Sequence, residues 1–177
     1  MKWKGKLINS IVKQLKEDSK WSKTIEKFLI DPTVGFHLAV CNEPFMSLIL
    51  NCEKKFESRF SINKISPYLK VAKGDIVILK ISGGLVTGAF VAGEVKFFHI
   101  DNKDTLHEIE TLYGQLICSS YDALFWDKRQ KSKYATLIEV KKVIKLQPFK
   151  THKKDRTAWT ILREGFSNSL FNKTNEN

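Results

Sequence analysis

The chain has 177 residues, 42 % of them hydrophobic, and a formal charge of +11 from 30 Lys and Arg against 19 Asp and Glu. That supports one packed domain with an appendage and excludes global disorder. Apolar runs such as IVIL (76–79) fall far short of the ~20 residues of a membrane span, and MKWKGKLINSIVKQLKED at the start lacks the apolar core of a secretory signal.

Residues 1–34 read as a helical hairpin packed on the main domain. Ile8, Ile11, Val12 and Leu15 recur at i, i+3, i+4 and i+7; Trp21, Ile25, Phe28 and Leu29 form a second stripe out of phase with the first. Ser19 or Ser22 is the expected cap of the second helix, and Asp31-Pro32 its end. A basic amphipathic stretch also suits a membrane surface. The lysines are spread around both segments rather than gathered on one face, so no membrane partner is expected.

From Gly35 the pattern changes. HLAVC (37–41) reads as a short strand, and Asn42 as the cap of a helix over 43–51 whose inner face is Phe45, Leu48, Ile49 and Cys52. Residues 55–60 form a strand with Phe56 and Phe60 on one face and Glu57 and Arg59 on the other. After a loop closing at Lys73-Gly74-Asp75, DIVILKI (75–81) reads as a strand covered on both faces. Ser82-Gly83-Gly84 turns it into a long strand over 85–100, where Gly88 and Gly93 mark bulges or bends. A helix over 105–113 is expected between Asp104 as cap and Gly114 as stop. A short helix at DALFW (122–126), strands over 134–146 and 157–162, and a polar disordered tail over 166–177 complete the chain. Short strands, glycine bends and few helices in about 130 residues point to an α+β fold built on a small, partly closed barrel.

Cys41, Cys52 and Cys118 are odd in number and widely spaced, and the four histidines are scattered, so neither a zinc site, another cofactor nor a disulfide framework is expected. The cysteines are assigned to core or corner packing. A reducing, cytoplasmic setting follows as the expectation. The cationic excess favours a polyanionic partner. Lysine excess with much Asn and Ile also arises from an AT-rich genome, and only Arg59, Arg129, Arg156 and Arg163 are arginine.

Glu57 and Arg59, two apart on one strand face, are placed to pair. Such a pair grips a base edge, the carboxylate accepting from an amino group and the guanidinium donating to a carbonyl or phosphate. The same spacing suits a surface ion pair worth ~0–1 kcal/mol. Lys80 and Ser82 flank the glycine turn and either face the same cleft or belong to a plain hairpin. Trp126, Tyr134 and Tyr121 are candidates for stacking on a base, with Lys128, Arg129, Lys131 and Lys133 around them; Trp126 also suits the core. Lys150, His152, Lys153, Lys154 and Arg156 form a second basic cluster, a phosphate-contacting rim or an exposed loop.

Cys52-Glu53-Lys54-Lys55-Phe56-Glu57-Ser58-Arg59 resembles the signature G-x-K-x-x-E-x-R of the ASCH domain, matching at Lys54, Glu57 and Arg59, with Cys52 where the family has glycine. The strand HLAVC, the helix opened by Glu-Pro (EPFMSLIL) and the stretch VAKGDIVILKISGG are similar to the family's surrounding elements. The similarity spans roughly residues 35–163, leaving 1–34 as a helical extension. It implies a PUA-like β-barrel of α+β class that binds RNA or a modified nucleoside beside the signature, at Lys54, Glu57 and Arg59. Some small bacterial members are amidohydrolases that deacetylate acetylcytidine with a lysine, a threonine and a glutamate. Their lysine matches Lys54, and Glu57 stands at the threonine, so for an enzyme Lys54 and Glu57 are the candidate reactive pair.

Overall fold

A computed structural model describes residues 2–153 and 155–165. The predicted tail 166–177 and Lys154 lie outside the described residues. Helices α1 (Lys2–Glu17) and α2 (Ser22–Ile30) form the hairpin that periodicity predicts. Its turn is capped by Asp18, whose carboxylate accepts from the N–H groups of Lys20 and Trp21, and not by Ser19 or Ser22. The caps elsewhere also shift by a residue or two. In α3 (Phe45–Leu50) the Asn42 side chain is not the cap: the Glu43 carboxylate accepts the Ser47 N–H at 3.1 Å, and the Asn42 carbonyl takes the Met46 N–H. In α4 (Lys103–Tyr113) the cap is Asn102, bonded to the Thr105 N–H, with Asp104 inside the first turn and Gly114 in right-handed conformation. The helix expected at DALFW is absent: single 3₁₀ turns at Ser119–Tyr121 and Asp127–Arg129 flank that stretch.

Six strands form one sheet among the described residues: β1 (Phe36–Cys41), β2 (Phe56–Ser61), β3 (Ile76–Ile81), β4 (Val86–His99), β5 (Tyr134–Phe149) and β6 (Trp159–Arg163), in the order β2-β5-β4-β3-β1-β6. The β1–β3 pair is parallel and the others antiparallel. Register shifts of β4 against β5 fall at Val86/Gly88, Ala89/Val91 and Ala92/Val95, the first and last of them at the two predicted glycines. A Cβ on Gly93 would collide with the Glu139 carboxylate, which accepts the Glu94 N–H. These bulges bend the sheet into a curled half-barrel. The strand edges approach where Arg59 of β2 donates to the Ala158 carbonyl just ahead of β6, at 3.3 Å.

The two-faced burial of β3 follows from this layering. Ile76 and Ile78 pack outward, with Phe36 and Leu38, on Leu7, Ile11, Leu15, Trp21, Ile25 and Phe28 of the hairpin. Val77 and Leu79 face the barrel interior with Ala39, Cys41, Phe90, Ile138 and α3's Met46 and Ile49. Leu29 does not join the hairpin's stripe; it is 46 % exposed, because the helix turns Phe28 inward instead. Arg163 ties β6 to the hairpin's end by donating to the carbonyls of Phe28, Asp31 and Val34. A third cluster joins Phe56 to α4 and the 3₁₀ segment through Leu106, Ile109, Ile117 and Phe125.

One buried polar chain crosses three strands. Asp75, 1 % exposed, accepts from the N–H groups of Gly35 (2.6 Å) and Ala72 (2.8 Å) and lies 3.0 Å from His37 Nε2. Trp159 Nε1 donates to His37 Nδ1 at 3.3 Å. An indole N–H only donates, so Nδ1 accepts and Nε2 carries the proton aimed at Asp75. Gly35 is required here: a Cβ would sit 2.8 Å from the Asp75 carboxylate.

Candidate functional site

The site begins at the corner between α3 and β2. Cys52 adopts φ 61°, the left-handed conformation that glycine tolerates best, and the chain reverses there. The Leu48 carbonyl accepts the N–H groups of both Glu53 and Lys54, which fixes where β2 starts. Cys52 is exposed, a corner residue and not part of the α3 inner face that the sequence suggests. Phe56 and Phe60 turn toward the α4 cluster, so Glu57 and Arg59 face the opposite way, as strand alternation requires.

That opposite side is a cleft of about 530 Å³ floored by Lys54, Glu57 and Arg59. Glu57 is 5 % exposed and Lys54 2 %. Arg59 Nε lies 2.8 Å from Glu57 Oε1, a close ion pair whose N–H is not aimed along a hydrogen bond. Lys54 Nζ lies 3.6 Å from Glu57 Oε2, donates to the Ile117 carbonyl at 2.8 Å, and sits 5.1 Å from the centre of the Phe45 ring. Burial pulls the Lys54 ammonium below its ordinary range, and Glu57 opposes that shift. For Arg59, burial works in the same direction, but Glu57 and Cys41 outweigh it and hold the guanidinium high. Cys41 lies under the pair: Arg59 Nη2 donates to its sulfur at 3.3 Å. Burial, with the Glu57 charge, pushes its thiol up to about 12, so it stays protonated and is a poor nucleophile.

The loop after α4 supplies the opposite wall with Tyr121, Asp122, Phe125, Lys128 and Arg129. Phe125 anchors it, packing edge-on to Phe45 and Phe60. Arg129 lies over the Phe125 ring, 3.3 Å from its centre, and Lys128 pairs with Asp122 at 2.9 Å. Tyr121 is 56 % exposed on the rim.

Of the residues singled out in the sequence, Lys54, Glu57, Arg59, Tyr121, Lys128 and Arg129 converge on this cleft. Lys80 and Ser82 line a different, neighbouring hollow. Trp126 packs edge-on to Phe60 (6.0 Å between ring centres) and Phe125 (5.0 Å), which leaves its ring in the α4 cluster. Tyr134 stacks on His99 at 5.2 Å and meets Tyr68 at 4.8 Å, with exposed Lys133 beside it; neither lines the cleft. Cys41, Asn42, Glu43, Asp122 and Phe125 are cleft residues without a sequence signal, since strand ends and irregular loops bring them there. Cys118 is buried and, like the others, free. Among the described residues no group of three His, Cys, Asp or Glu side chains is placed to hold a metal ion, and no helix is long and apolar enough to cross a membrane.

No family model matches the sequence, and no curated protein matches it significantly. Solved structures do match in shape. The ASCH protein of Zymomonas mobilis superimposes with a TM-score of 0.54 at 14 % identity, over 80 % of this chain and 96 % of that one. A serine-to-alanine variant of it gives 0.55 at 15 % identity, over 80 % and 98 %. A tyrosine-to-phenylalanine variant gives 0.52 at 15 % identity, over 77 % and 96 %. Likeness at such low identity is a likeness of fold, and it agrees with the signature at Lys54, Glu57 and Arg59: the chain has the ASCH-type, PUA-like half-barrel fold.

Proposed function

We propose that the cleft holds a nucleobase, or a modified nucleoside within RNA, against Lys54, Glu57 and Arg59. The observation that carries this reading is the convergence of those three side chains on one concave floor beneath the exposed ring of Tyr121. Glu57 Oε2 lies 3.6 Å from Lys54 Nζ, beyond hydrogen-bond distance, and so keeps capacity to accept from an exocyclic amino group. Arg59 spends one N–H on Ala158 and one on Cys41, which leaves donors for a base carbonyl or ring nitrogen. Tyr121 offers a stacking face, and Lys128 and Arg129 meet the sugar-phosphate chain at the rim. The net charge of +11 and the likeness to ASCH structures support the same reading.

The test is fluorescence anisotropy with short single-stranded RNA across a salt series. Binding that weakens with salt is expected, and Tyr121→Ala should weaken it about 5- to 150-fold, the worth of one base stack. No binding at low salt, or affinity indifferent to salt, overturns the reading.

A second reading, hydrolysis of an acylated nucleoside such as acetylcytidine, rests on Lys54. Its desolvated ammonium gives up a proton more readily than an exposed lysine, next to a carboxylate. Incubation with acetylcytidine and a panel of modified nucleosides, followed by chromatography, decides it: product that disappears with Lys54→Ala supports catalysis, and no product from the wild type ends it.

A further inference from the structure

The cleft does not carry the molecule's local cationic excess. Its lining balances Lys54, Arg59, Lys128 and Arg129 against Glu43, Glu57 and Asp122, a net of +1. The neighbouring hollow, about 840 Å³, sets Lys80, Lys150, Lys153 and Arg156 against Asp155 alone, a net of +3. Val40 lines both, so the two spaces adjoin across one residue of β1.

The second hollow is built rather than merely charged. The Lys153 side chain is 3 % exposed, although it ends in an ammonium. Its partner Asp155 also accepts from the hydroxyl and the N–H of Thr157, so its charge is shared among several donors. Lys80, on the facing hairpin, is held below its ordinary range by burial and then by the Lys153 charge, so two ammoniums crowd one space. Thr151 lines the hollow as well, and its Oγ1 is buried without a hydrogen-bond partner among the described residues. A buried hydroxyl left unbonded costs free energy, as do like charges in a partly desolvated hollow. One ligand relieves both: an oxyanion with several acceptor oxygens.

We propose that this hollow is a phosphate subsite, formed by Lys80, Thr151, Lys153 and Arg156, that holds the phosphodiester next to the base seated in the cleft. The identity of that ligand rests on the nucleoside reading above; the affinity for phosphate does not. Free phosphate or a mononucleotide presents the same chemistry as a polynucleotide backbone, and the experiment separates them.

Binding of a labelled single-stranded RNA is measured against salt for the wild type, Lys80→Gln/Lys153→Gln, Thr151→Val and Tyr121→Ala, with folding of each checked by circular dichroism. Binding of inorganic phosphate and of a nucleoside 5′-monophosphate is measured by calorimetry on the same set. If the backbone is the source, the double variant lowers the slope of log affinity against log salt by about 0.7, the share of the one phosphate that is no longer neutralised. Thr151→Val weakens binding several-fold with the slope kept, and Tyr121→Ala likewise keeps it. If a small anion is the source, inorganic phosphate or the monophosphate binds the wild type and not the double variant. A slope change in the double variant with no effect of Tyr121→Ala sinks the cleft reading while the subsite stands. The subsite is overturned when the double variant matches the wild type in slope and in phosphate binding, or when none of the three probes binds the wild type.

Discussion

Replacing Glu57 by Gln removes the one carboxylate that serves two buried cations. At an effective dielectric near 20, a pair at 2.8 Å is worth about 6 kcal/mol and one at 3.6 Å about 4.6 kcal/mol of gross attraction. Desolvation of the three ions offsets much of that sum, and removing one partner of a buried pair costs about 3–5 kcal/mol net. The lower end applies here, because Arg59 is 16 % exposed and keeps its bonds to Ala158 and Cys41. A loss of about 3 kcal/mol corresponds to about 6–12 °C in a chain of this length. Thermal and urea unfolding followed by circular dichroism measure it. The loss has a pH signature. Because the folded state holds the Lys54 pKa below the unfolded value, the unfolded chain binds the extra proton, and stability rises with pH from the folded pKa up to about 10.5. Above the folded pKa Lys54 is neutral and needs no partner, so the cost of Glu57→Gln shrinks there to the Arg59 share. Lys54→Met, which leaves Glu57 paired with Arg59, removes the alkaline rise and changes stability at neutral pH far less. A Glu57→Gln melting point equal to the wild type, or a penalty that does not change with pH, would refute the account of a floor held together by charge.

Three other outcomes follow from named residues. A thiol reagent at pH 8 should label one cysteine per native chain quickly, exposed Cys52, and all three in denaturant; rapid labelling of Cys41 would contradict its burial and its raised pKa. Cys52→Gly should stabilise the chain by about 0.5–1 kcal/mol in urea unfolding, since a left-handed non-glycine residue costs about 1–2 kcal/mol and glycine returns part of that as lost chain entropy. Gly35→Ala should cost about 2–4 kcal/mol in the same assay, because the added methyl displaces the Asp75 carboxylate that joins β1, β3 and the His37–Trp159 chain; a neutral result would mean Asp75 is free to move.

Local pattern carried much of this molecule. Alternation put Phe56 and Phe60 opposite Glu57 and Arg59, an unbroken apolar run marked β3 as covered on both faces, and Gly88 and Gly93 marked the bends, because each signal depends on a few consecutive residues. Caps were legible only to within a residue or two: several polar side chains near a helix start compete, and the tertiary frame chooses among them, as Asn102 over Asp104 shows. The membership of the cleft was not legible beyond its signature. Lys54 reaches a carbonyl 63 residues away and Arg59 one 99 residues away. No periodicity spans such separations, so folding alone decided that Tyr121 and Arg129 face the signature while Trp126 and Tyr134 turn elsewhere. Likewise, Lys80 parts from the cleft only because the glycine hairpin opens toward the loop before β6. The sequence by itself determined which residues bear charge and which strand face presents them; the curl of the sheet decided which charges share a space, since that depends on where distant segments meet.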